Sequence, residues 1–277
     1  MLTDMKSILI DAKKRKYGVA APNAWNEDSI RAAILAAEKA KSPVIIALYP
    51  VMADIFEFGK IAVEMAQKAL VPVAVHLDHG QELEQVVKAI RAGFTSVMVD
   101  RSTLPFDENV KAVKEIVKFA HAVGVTVEAE LGHVGQGCDY KKTKNEGLTD
   151  PNEAIQFVEM TGVDCLAVAV GTSHGVYKGK PELQFDLLHK LNSVVNIPLV
   201  LHGCSGTGDD NLKKAIGYGI TKLNLYTDLD MAGYDVFQES IKAQKISKVT
   251  EACSLMYKGY ADKLAHYIEL FGSSSKA

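Results

Sequence analysis

The sequence predicts a single (β/α)₈ barrel with extra C-terminal helices, a fold of the α/β class. First, eight short apolar segments with the character of strands alternate with amphipathic segments whose apolar residues recur at helical spacing. Second, the strand segments are almost continuously apolar, as in parallel sheets that are covered on both faces. Third, the first strand is followed by PNAWNED and not by the GxGxxG turn of a dinucleotide-binding sheet. A doubly wound open sheet, which shares the alternation, is therefore the less favoured alternative.

The predicted strands follow one another at residues 17–24, 43–50, 71–78, 95–100, 126–132, 165–171, 197–203 and 220–227. Helical patterns lie between them, and the clearest are EDSIRAAILAAEKAK after the first strand and DENVKAVKEIVKFAHAVG after the fourth. Several glycines stand between a helix and the next strand, where a helix end favours a left-handed residue: Gly93, Gly124, Gly162 and Gly219.

Residues 1–277 are predicted to form one domain, although the length alone also permits two. The body of the chain contains no linker rich in Pro, Gly or Ser. The segment from about residue 229 to residue 271 is predicted to be a helical extension of the same domain. The last residues, 272–277 (GSSSKA), are predicted to be a disordered tail.

Composition indicates a cytoplasmic protein that binds a small molecule. Hydrophobic residues make up 48% of the chain, the formal net charge is -3, and the pI is near 6.3, so neither nucleic acid nor an anionic membrane is an expected partner. The four cysteines are scattered without a CxxC pair, as expected of reduced thiols. The N-terminus lacks the apolar core of a signal peptide, and no apolar run approaches the ~20 residues of a membrane span.

Ionisable and polar side chains collect at the carboxyl ends of the predicted strands, which all open onto one face of a barrel, where barrel enzymes carry their chemistry. The stretch VAVHLDHG is the densest example, because an apolar strand ends there in three ionisable residues out of four. The residues at these strand ends are Asn23, His76, Asp78, His79, Asp100, Glu130, His174, His202, Asn224 and Thr227.

Three of these residues, His79, His174 and His202, are predicted to bind Zn²⁺, because imidazoles that converge from different strands suit a metal with nitrogen ligands and an open position. The structural alternative for any single histidine is a ring that donates to a backbone carbonyl. His76 is in strand phase with Asp78 and is interpreted as a residue that orients its neighbours. The remaining histidines are assigned no role: His121, His133, His189 and His266.

Gly-rich turns follow three neighbouring strands of the same face, with the sequences GTSHG, HGCSG and NLYT. Backbone N–H groups in such turns form anion sites, and the common phosphate site of barrels lies near strands seven and eight. Each turn alone is more often an ordinary tight turn. Together, beside a predicted metal, they indicate a phosphorylated substrate.

Long segments resemble the class II, zinc-dependent fructose-bisphosphate and tagatose-bisphosphate aldolases. The matching segments run in family order over residues 1–230 and include HLDHG, VMVDRSTLPFDENV, VEAELGHVG, LTDPNEAIQFVEMTGVDCLAVAVGTSHGVY, LVLHGCSG and ITKLNLYTDL. The resemblance implies a homodimeric or homotetrameric barrel that cleaves a ketose bisphosphate, by default fructose 1,6-bisphosphate, into dihydroxyacetone phosphate and glyceraldehyde 3-phosphate.

The resemblance also implies a role for each matching residue. Zn²⁺ would be held by His79, His174 and His202, with Asp100 and Glu130 in its outer or alternative ligand shell, and Asp78 would be the catalytic acid/base. A monovalent cation such as Na⁺ or K⁺ often accompanies the phosphate. Together with Asn23, which the strand ends supply, the expected substrate-binding residues are Gly175, Gly203, Cys204, Ser205, Asn224, Leu225, Tyr226 and Thr227. No imine forms in this chemistry, so Lys222 is interpreted as a packing or charge partner.

Four departures from the family bear on the substrate. Tyr226 replaces the usual Asp or small residue of the strand-eight motif, and Tyr49 replaces a polar residue at the end of strand two. The loop after strand five places Cys138 where a glutamate is usual, which leaves Asp139 or Glu146 as the loop acid/base. All four arginines lie in the first half of the chain, whereas the family binds the distal phosphate with a C-terminal arginine. Other candidates for that phosphate are Arg101, Lys141, Lys142 and Lys144.

These departures keep several functions open. The same chemistry on tagatose 1,6-bisphosphate, or on a ketose 1-phosphate with a non-phosphorylated aldehyde half, is an alternative to fructose 1,6-bisphosphate. A metal-dependent barrel isomerase or hydrolase fits the histidines but not the long motifs. A non-catalytic sugar-phosphate-binding paralogue fits the altered loop but not the retained Asp78, His79, His174 and His202.

Overall fold

A computed structural model describes residues 1–140 and 145–277 and confirms the predicted barrel. Eight parallel strands pair in the order β1-β8-β7-β6-β5-β4-β3-β2, and a bridge between Asn23 and Ala47 joins the two ends of the sheet. The strands are β1 (Val19–Pro22), β2 (Val44–Leu48), β3 (Val73–Gly80), β4 (Ser96–Val99), β5 (Thr126–Leu131), β6 (Cys165–Val168), β7 (Leu199–Leu201) and β8 (Ile220–Leu225).

Ten α-helices occur among the described residues, and the helices between strands surround the barrel. They are α1 (Met5–Arg15), α2 (Glu27–Ala40), α3 (Ile55–Lys68), α4 (Leu83–Ala92), α5 (Phe106–Ala122), α6 (Pro151–Thr161), α7 (Phe185–Val194), α8 (Asp209–Gly217), α9 (Thr227–Lys242) and α10 (Val249–Leu270). The glycines predicted at helix ends all have positive φ, as at Gly93 (96°) and Gly162 (72°). Within the described ranges, no helix has an uncharged apolar stretch long enough to cross a membrane.

The hydrophobic core has two parts that are separated by the barrel wall. The larger part lies between the strands and the surrounding helices. The smaller part fills the end of the barrel opposite the strand carboxyl ends, where Met5, Leu9 and Ala12 of α1 pack against inward side chains such as Val19 and Ile45. Helix α1 closes this end, and the predicted site lies at the other end of the barrel.

The C-terminal segment forms two helices, α9 and α10, which pack against each other. Helix α10 also packs against α2 and β1, so it lies on the outside of the barrel beside the first strand. The predicted disordered tail at 272–277 is wrong. The backbone N–H groups of Ser275 and Ala277 donate to the carbonyls of Ala40 and Lys41, and Ser273 is buried. These carbonyls at the end of α2 have no partner within that helix, so the tail satisfies them.

Candidate active site and metal centre

A cavity of about 520 Å³ opens at the carboxyl ends of the strands. Most of the predicted site residues line it. The lining residues are Asn23, Tyr49, Val51, Met52, Asp78, His79, Gln81, Asp100, Glu130, His133, Val134, Gln136, His174, Gly175, His202, Gly203, Cys204, Ser205, Asn224, Tyr226 and Thr227. A concave site at this end of a barrel, with several titratable groups, is where catalysis is expected.

A bulge in β3 turns two consecutive side chains into this cavity. Leu77 pairs with Val97 of β4, whereas Gly80 pairs with Val99, so β3 contains one more residue than β4 over this stretch. Successive residues of a regular strand face opposite sides, and an extra residue re-aims one of them. His79 accordingly has φ 50°, a left-handed conformation that is uncommon for a residue with a Cβ. Asp78 and His79 therefore both line the cavity.

Three imidazole nitrogens converge at the centre of the cavity. His79 Nε2 lies 3.2 Å from His174 Nε2 and 3.0 Å from His202 Nδ1. Two nitrogens bound tetrahedrally to Zn²⁺ would be about 3.3 Å apart. These histidines come from β3 and from the turns after β6 and β7, and they form a group that could hold a metal ion.

The other ring nitrogens have partners that fix which atoms face the centre. His79 Nδ1 lies 2.8 Å from Asp100 Oδ2, and His202 Nε2 lies 2.9 Å from Glu128 Oε1. In the neutral rings, each of these nitrogens carries the proton and donates a hydrogen bond to the carboxylate. The other nitrogens, His79 Nε2 and His202 Nδ1, then carry lone pairs that face each other at 3.0 Å. A cation between them removes this repulsion, and carboxylate partners of this kind are common for metal-binding histidines. The residues present therefore fit a metal ion.

The pKa values of the three histidines indicate that His79 carries the positive charge of the group, whereas His174 and His202 are neutral. Burial alone would lower the pKa of His79, but the Asp78 charge and the hydrogen bond to Asp100 outweigh it and raise the pKa to about 9. Burial and the charge of His79 lower the pKa of His174 to about 4. Burial, together with the charges of His79 and Lys222, holds the pKa of His202 well below its usual value.

Asp78 is held beside the histidines as a buried carboxylate. Only 4% of its surface is exposed, and its two oxygens accept hydrogen bonds from Asn23 Nδ2 and Asn224 Nδ2, each at 2.9 Å. Burial would raise the pKa of Asp78, but the charges of His79 and His202 outweigh it and lower the pKa to about 2. The carboxylate is ionised at neutral pH, with one oxygen 4.0 Å from His79 Nε2.

Asp100 and Glu130 form a second acidic group around His79. Together with His79 they could also hold a metal ion. Asp100 accepts hydrogen bonds from the N–H and hydroxyl of Ser102. Burial would raise the pKa of Asp100, but the hydrogen bond and charge of His79, together with the bonds from Ser102, outweigh it and hold the pKa below its usual range. Burial and the charge of Asp100 raise the pKa of Glu130 to about 7. Its Oε2 has no hydrogen-bond partner among the described residues.

A buried charged layer lies beneath the histidines. Lys222 Nζ on β8 lies 2.8 Å from Glu128 Oε2 on β5, and both side chains are fully buried. Glu128 also binds His202, and His76 lies 3.7 Å from Glu128 Oε2 and 3.0 Å from Ser96 Oγ. Lys222 is thus a charge partner, as predicted. Glu128 was not predicted, although a carboxylate two residues before Glu130 shares its inward phase and needs a cation in an apolar strand.

The Gly-rich turns line the side of the cavity next to β6, β7 and β8. Gly203 has φ 66°, and a Cβ there would lie 2.4 Å from the Ser173 carbonyl, so the turns after β6 and β7 can approach this closely only with glycine. Asp228, which was also not predicted, accepts from the Gly206 N–H, and its own N–H donates to Ser205 Oγ. Backbone N–H groups in Gly-rich turns and in the first turn of a helix such as α9 suit an anion.

Leu225 is the one predicted substrate-binding residue that does not line the cavity. Its side chain is fully buried in the core between barrel and helices. Asn224 faces the barrel interior, and the next residue of a strand faces the other side. Only the backbone of Leu225 contributes nearby, because its carbonyl accepts from the Asn23 N–H.

The remaining predicted residues lie away from the cavity lining. Asp139 is the last residue of a short 3₁₀ turn at Gly137–Asp139 and is exposed, as is Glu146. Arg101 is half-buried and does not line the cavity. The predicted phosphate contacts Lys141, Lys142 and Lys144 lie outside the described residues. By contrast, His133, which was assigned no role, lines the cavity and lies 3.0 Å from Ser102 Oγ.

Comparison with known proteins agrees with this geometry. Over residues 3–276 the sequence matches the family described as "Fructose-bisphosphate aldolase class-II". The protein YdjI of Escherichia coli (strain K12), named as uncharacterized, is 40% identical over 281 residues, with 100% of both chains covered. The crystal structure of the YdjI aldolase from the same organism has a TM-score of 0.90 at 38% identity, again over 100% of both chains.

A second relative has a named activity. The fructose-bisphosphate aldolase of Geobacillus stearothermophilus is 42% identical over 237 residues, which cover 83% of each chain. A family match over nearly the whole chain, with relatives of this identity, shows that the chain belongs to the class-II fructose-bisphosphate aldolases and is a lyase.

Proposed function

We propose that this enzyme cleaves the C3–C4 bond of a ketose that carries a phosphate on C1, and that it releases dihydroxyacetone phosphate in a zinc-dependent reaction. Three converging imidazole nitrogens beside the Asp78 carboxylate, with Gly-rich turns on the next wall of the cavity, are the observation that carries the proposal. Fructose 1,6-bisphosphate and tagatose 1,6-bisphosphate both belong to this substrate class and differ in configuration at one carbon.

His79, His174 and His202 would hold the ion, with Asp100 and Glu130 outside them or as an alternative ligand set. When bound, Zn²⁺ supplies Lewis-acid polarisation of the substrate's carbonyl and adjacent hydroxyl oxygens. The all-nitrogen donor set favours zinc over the oxygen-preferring Mg²⁺ and Ca²⁺. A monovalent cation near the Gly-rich turns stays a prediction.

Asp78 is the proposed base of the cleavage direction. Its ionised carboxylate takes the proton of the C4 hydroxyl, C4 becomes the carbonyl carbon of the released aldehyde, and the electron pair of the broken bond passes to C3. Asn23 and Asn224 occupy one lone pair on each oxygen and hold the carboxylate in place. In condensation, Asp78 returns the proton to the new C4 hydroxyl.

C3 must gain a proton before dihydroxyacetone phosphate leaves. Asp139 and Glu146 do not line the cavity, but they are the proposed donors because they belong to the loop after β5, which contributes His133, Val134 and Gln136 to it. The C1 phosphate would bind the N–H groups of the turns at Gly175, Gly203 and Ser205, with those of Thr227 at the start of α9. Their backbone positions are held by the contact between Ser205 and Asp228.

Two substitutions separate the proposed base from the proposed ligands. Asp78→Ala should retain zinc but lower kcat by roughly 10²–10⁴-fold, the usual contribution of general acid–base catalysis. His202→Ala should lose bound metal together with activity, whereas the matched His133→Ala should retain the metal, since His133 is not in the histidine group. Elemental analysis and the rate of dihydroxyacetone phosphate release measure these effects. Full activity of Asp78→Ala would refute the assignment of the base.

A further inference from the structure

We infer that the aldehyde released by this enzyme carries no phosphate, so that its substrate is a ketose phosphorylated on C1 alone. The inference rests on the proposed function, because it concerns the other half of the same substrate. It follows from where the two halves lie in the cavity and from the charges that line each half.

The ring of strands determines where the aldehyde half lies. In an eight-stranded barrel β2 is opposite β6 and β3 is opposite β7. The Gly-rich turns that suit the C1 phosphate follow β6, β7 and β8. A substrate that extends from these turns across the histidines reaches the opposite rim, which the residues after β2 and β3 form.

That rim carries no cation among the described residues. Its lining side chains are Tyr49, Val51 and Met52 after β2 and Gln81 after β3. The Tyr49 ring lies edge-on to His79, with 6.1 Å between ring centroids, and Val51 is 78% exposed. A phosphate dianion is normally bound by Arg, Lys or several N–H donors. A wall of aromatic and aliphatic side chains with one amide offers little of this.

The rest of the cavity lining is also unsuited to a second dianion. None of the described lining residues is Lys or Arg, whereas Asp78, Asp100 and Glu130 are all acidic. Arg15 is paired with Asp11 on α1, at the closed end of the barrel, and Arg31 is paired with Glu27 on α2. A second phosphate at the rim would therefore find no Lys or Arg among the described lining residues to bind its charge.

Tyr49 adds to the uncharged character of this half, because its aromatic ring lines the cavity where the family usually has a polar residue. Aromatic faces pack well against the C–H groups of an uncharged hydroxyaldehyde. The rim thus fits an unphosphorylated aldehyde better than glyceraldehyde 3-phosphate.

Condensation measures the aldehyde half directly. The metal-loaded enzyme is given dihydroxyacetone phosphate with either glyceraldehyde or glyceraldehyde 3-phosphate, and consumption of dihydroxyacetone phosphate is followed. This design does not depend on which ketose forms. We expect kcat/KM for glyceraldehyde to exceed that for glyceraldehyde 3-phosphate by about tenfold or more, because the phosphate would lose part of its hydration at this rim without gaining a charged partner. A higher kcat/KM for the phosphorylated aldehyde would overturn the inference but support the proposed function. Consumption with neither aldehyde, together with no cleavage of any ketose phosphate, would overturn both.

Substitution of the exposed Val51 tests the rim itself. Val51→Arg should raise kcat/KM for glyceraldehyde 3-phosphate by about tenfold, whereas the matched uncharged Val51→Gln should not. The triple variant K141A/K142A/K144A should leave the ratio of the two aldehydes unchanged. A large fall in the relative use of glyceraldehyde 3-phosphate in the triple variant would show that these lysines bind a second phosphate, and the inference would be wrong.

Discussion

One extra residue in β3 determines which atoms meet in the active site. Because β3 is bulged between Leu77 and Gly80, Asp78 and His79 both face the cavity, where a regular strand would turn one of them into the core. The left-handed conformation of His79 is the local strain that accompanies this arrangement. Asp100 then orients the His79 ring, so a proposed base and a proposed ligand become neighbours on one strand.

The pKa of His79 leads to a prediction for metal binding. In the metal-free protein a proton on His79, with its pKa of about 9, must leave before the nitrogen can bind zinc. The apparent zinc affinity should therefore rise with pH by about tenfold per unit below that pKa and level off above it. Titration against a competing chelator at several pH values measures this dependence.

A matched variant tests the cause. Asp100→Asn removes a charge that raises the pKa of His79 and leaves a neutral, weaker acceptor for its Nδ1–H, so the zinc affinity of the variant should level off at a lower pH. An affinity of the parent protein that is constant between neutral pH and pH 9 would contradict the assignment of the raised pKa to His79.

For single residues, the sequence predicts the place in the fold better than it predicts the hydrogen-bond and ion-pair partners. His79, His174 and His202 could be placed together because strand ends share one face of a barrel. The bulge could not be predicted, since it depends on the pairing of β3 with β4. Leu225 was misplaced because motif membership does not give strand phase, and Glu128 was missed because its partner is 94 residues away in the chain.

The strands are connected inside the barrel by the buried charged layer of Lys222, Glu128 and His202. Lys222 on β8 neutralises Glu128 on β5, and Glu128 in turn orients His202 after β7. A buried ion pair is weak evidence for net stability, but it is costly to break. The position of the His202 ring therefore depends on how β5, β7 and β8 pack together.

Removal of one partner should show this dependence. Lys222→Met should lower the free energy of unfolding by about 3–5 kcal/mol, because Glu128 is left as an uncompensated buried charge. Lys222→Met with Glu128→Gln should recover part of the loss, since a glutamine oxygen still accepts from His202. Urea unfolding measures both variants. A single variant as stable as the parent protein would contradict the dependence on the Lys222–Glu128 pair.

Elements were largely predictable because barrel strands are covered on both faces and read as apolar runs. All eight strands occur within the predicted segments or within two residues of them. The C-terminal tail was not predictable, because GSSSKA has the composition of a disordered segment. Its order comes from the unpaired carbonyls of Ala40 and Lys41 at the end of α2, which are distant in sequence.

In the whole molecule, the residues that stabilise the fold and the residues of the proposed active site lie at opposite ends of the barrel axis. Helix α1 closes one end with apolar side chains, and the cavity with its titratable groups opens at the other. In barrels, residues at the closed end serve stability and residues at the strand carboxyl ends serve catalysis. Substitutions at the two ends should therefore have different effects.

Two adjacent residues of α1 provide the comparison. Leu9 is fully buried and Ile10 is 49% exposed. Leu9→Ala should lower the free energy of unfolding by about 2–5 kcal/mol, the usual effect of a large-to-small change in a core. Ile10→Ala should change it by less than about 0.5 kcal/mol. Both should keep the parent's kcat/KM below the unfolding temperature, and a specific loss of catalysis in Leu9→Ala would show that the two ends are coupled.

The most direct test of the proposed function is release of dihydroxyacetone phosphate from ketose 1-phosphates and their 1,6-bisphosphates, before and after a chelator. The proposal predicts release that stops when the chelator removes the metal and returns when Zn²⁺ is added. Release that continues unchanged in the metal-free enzyme would contradict the role of the three histidines, and no release from any of these substrates by the zinc-loaded enzyme would contradict the proposed reaction.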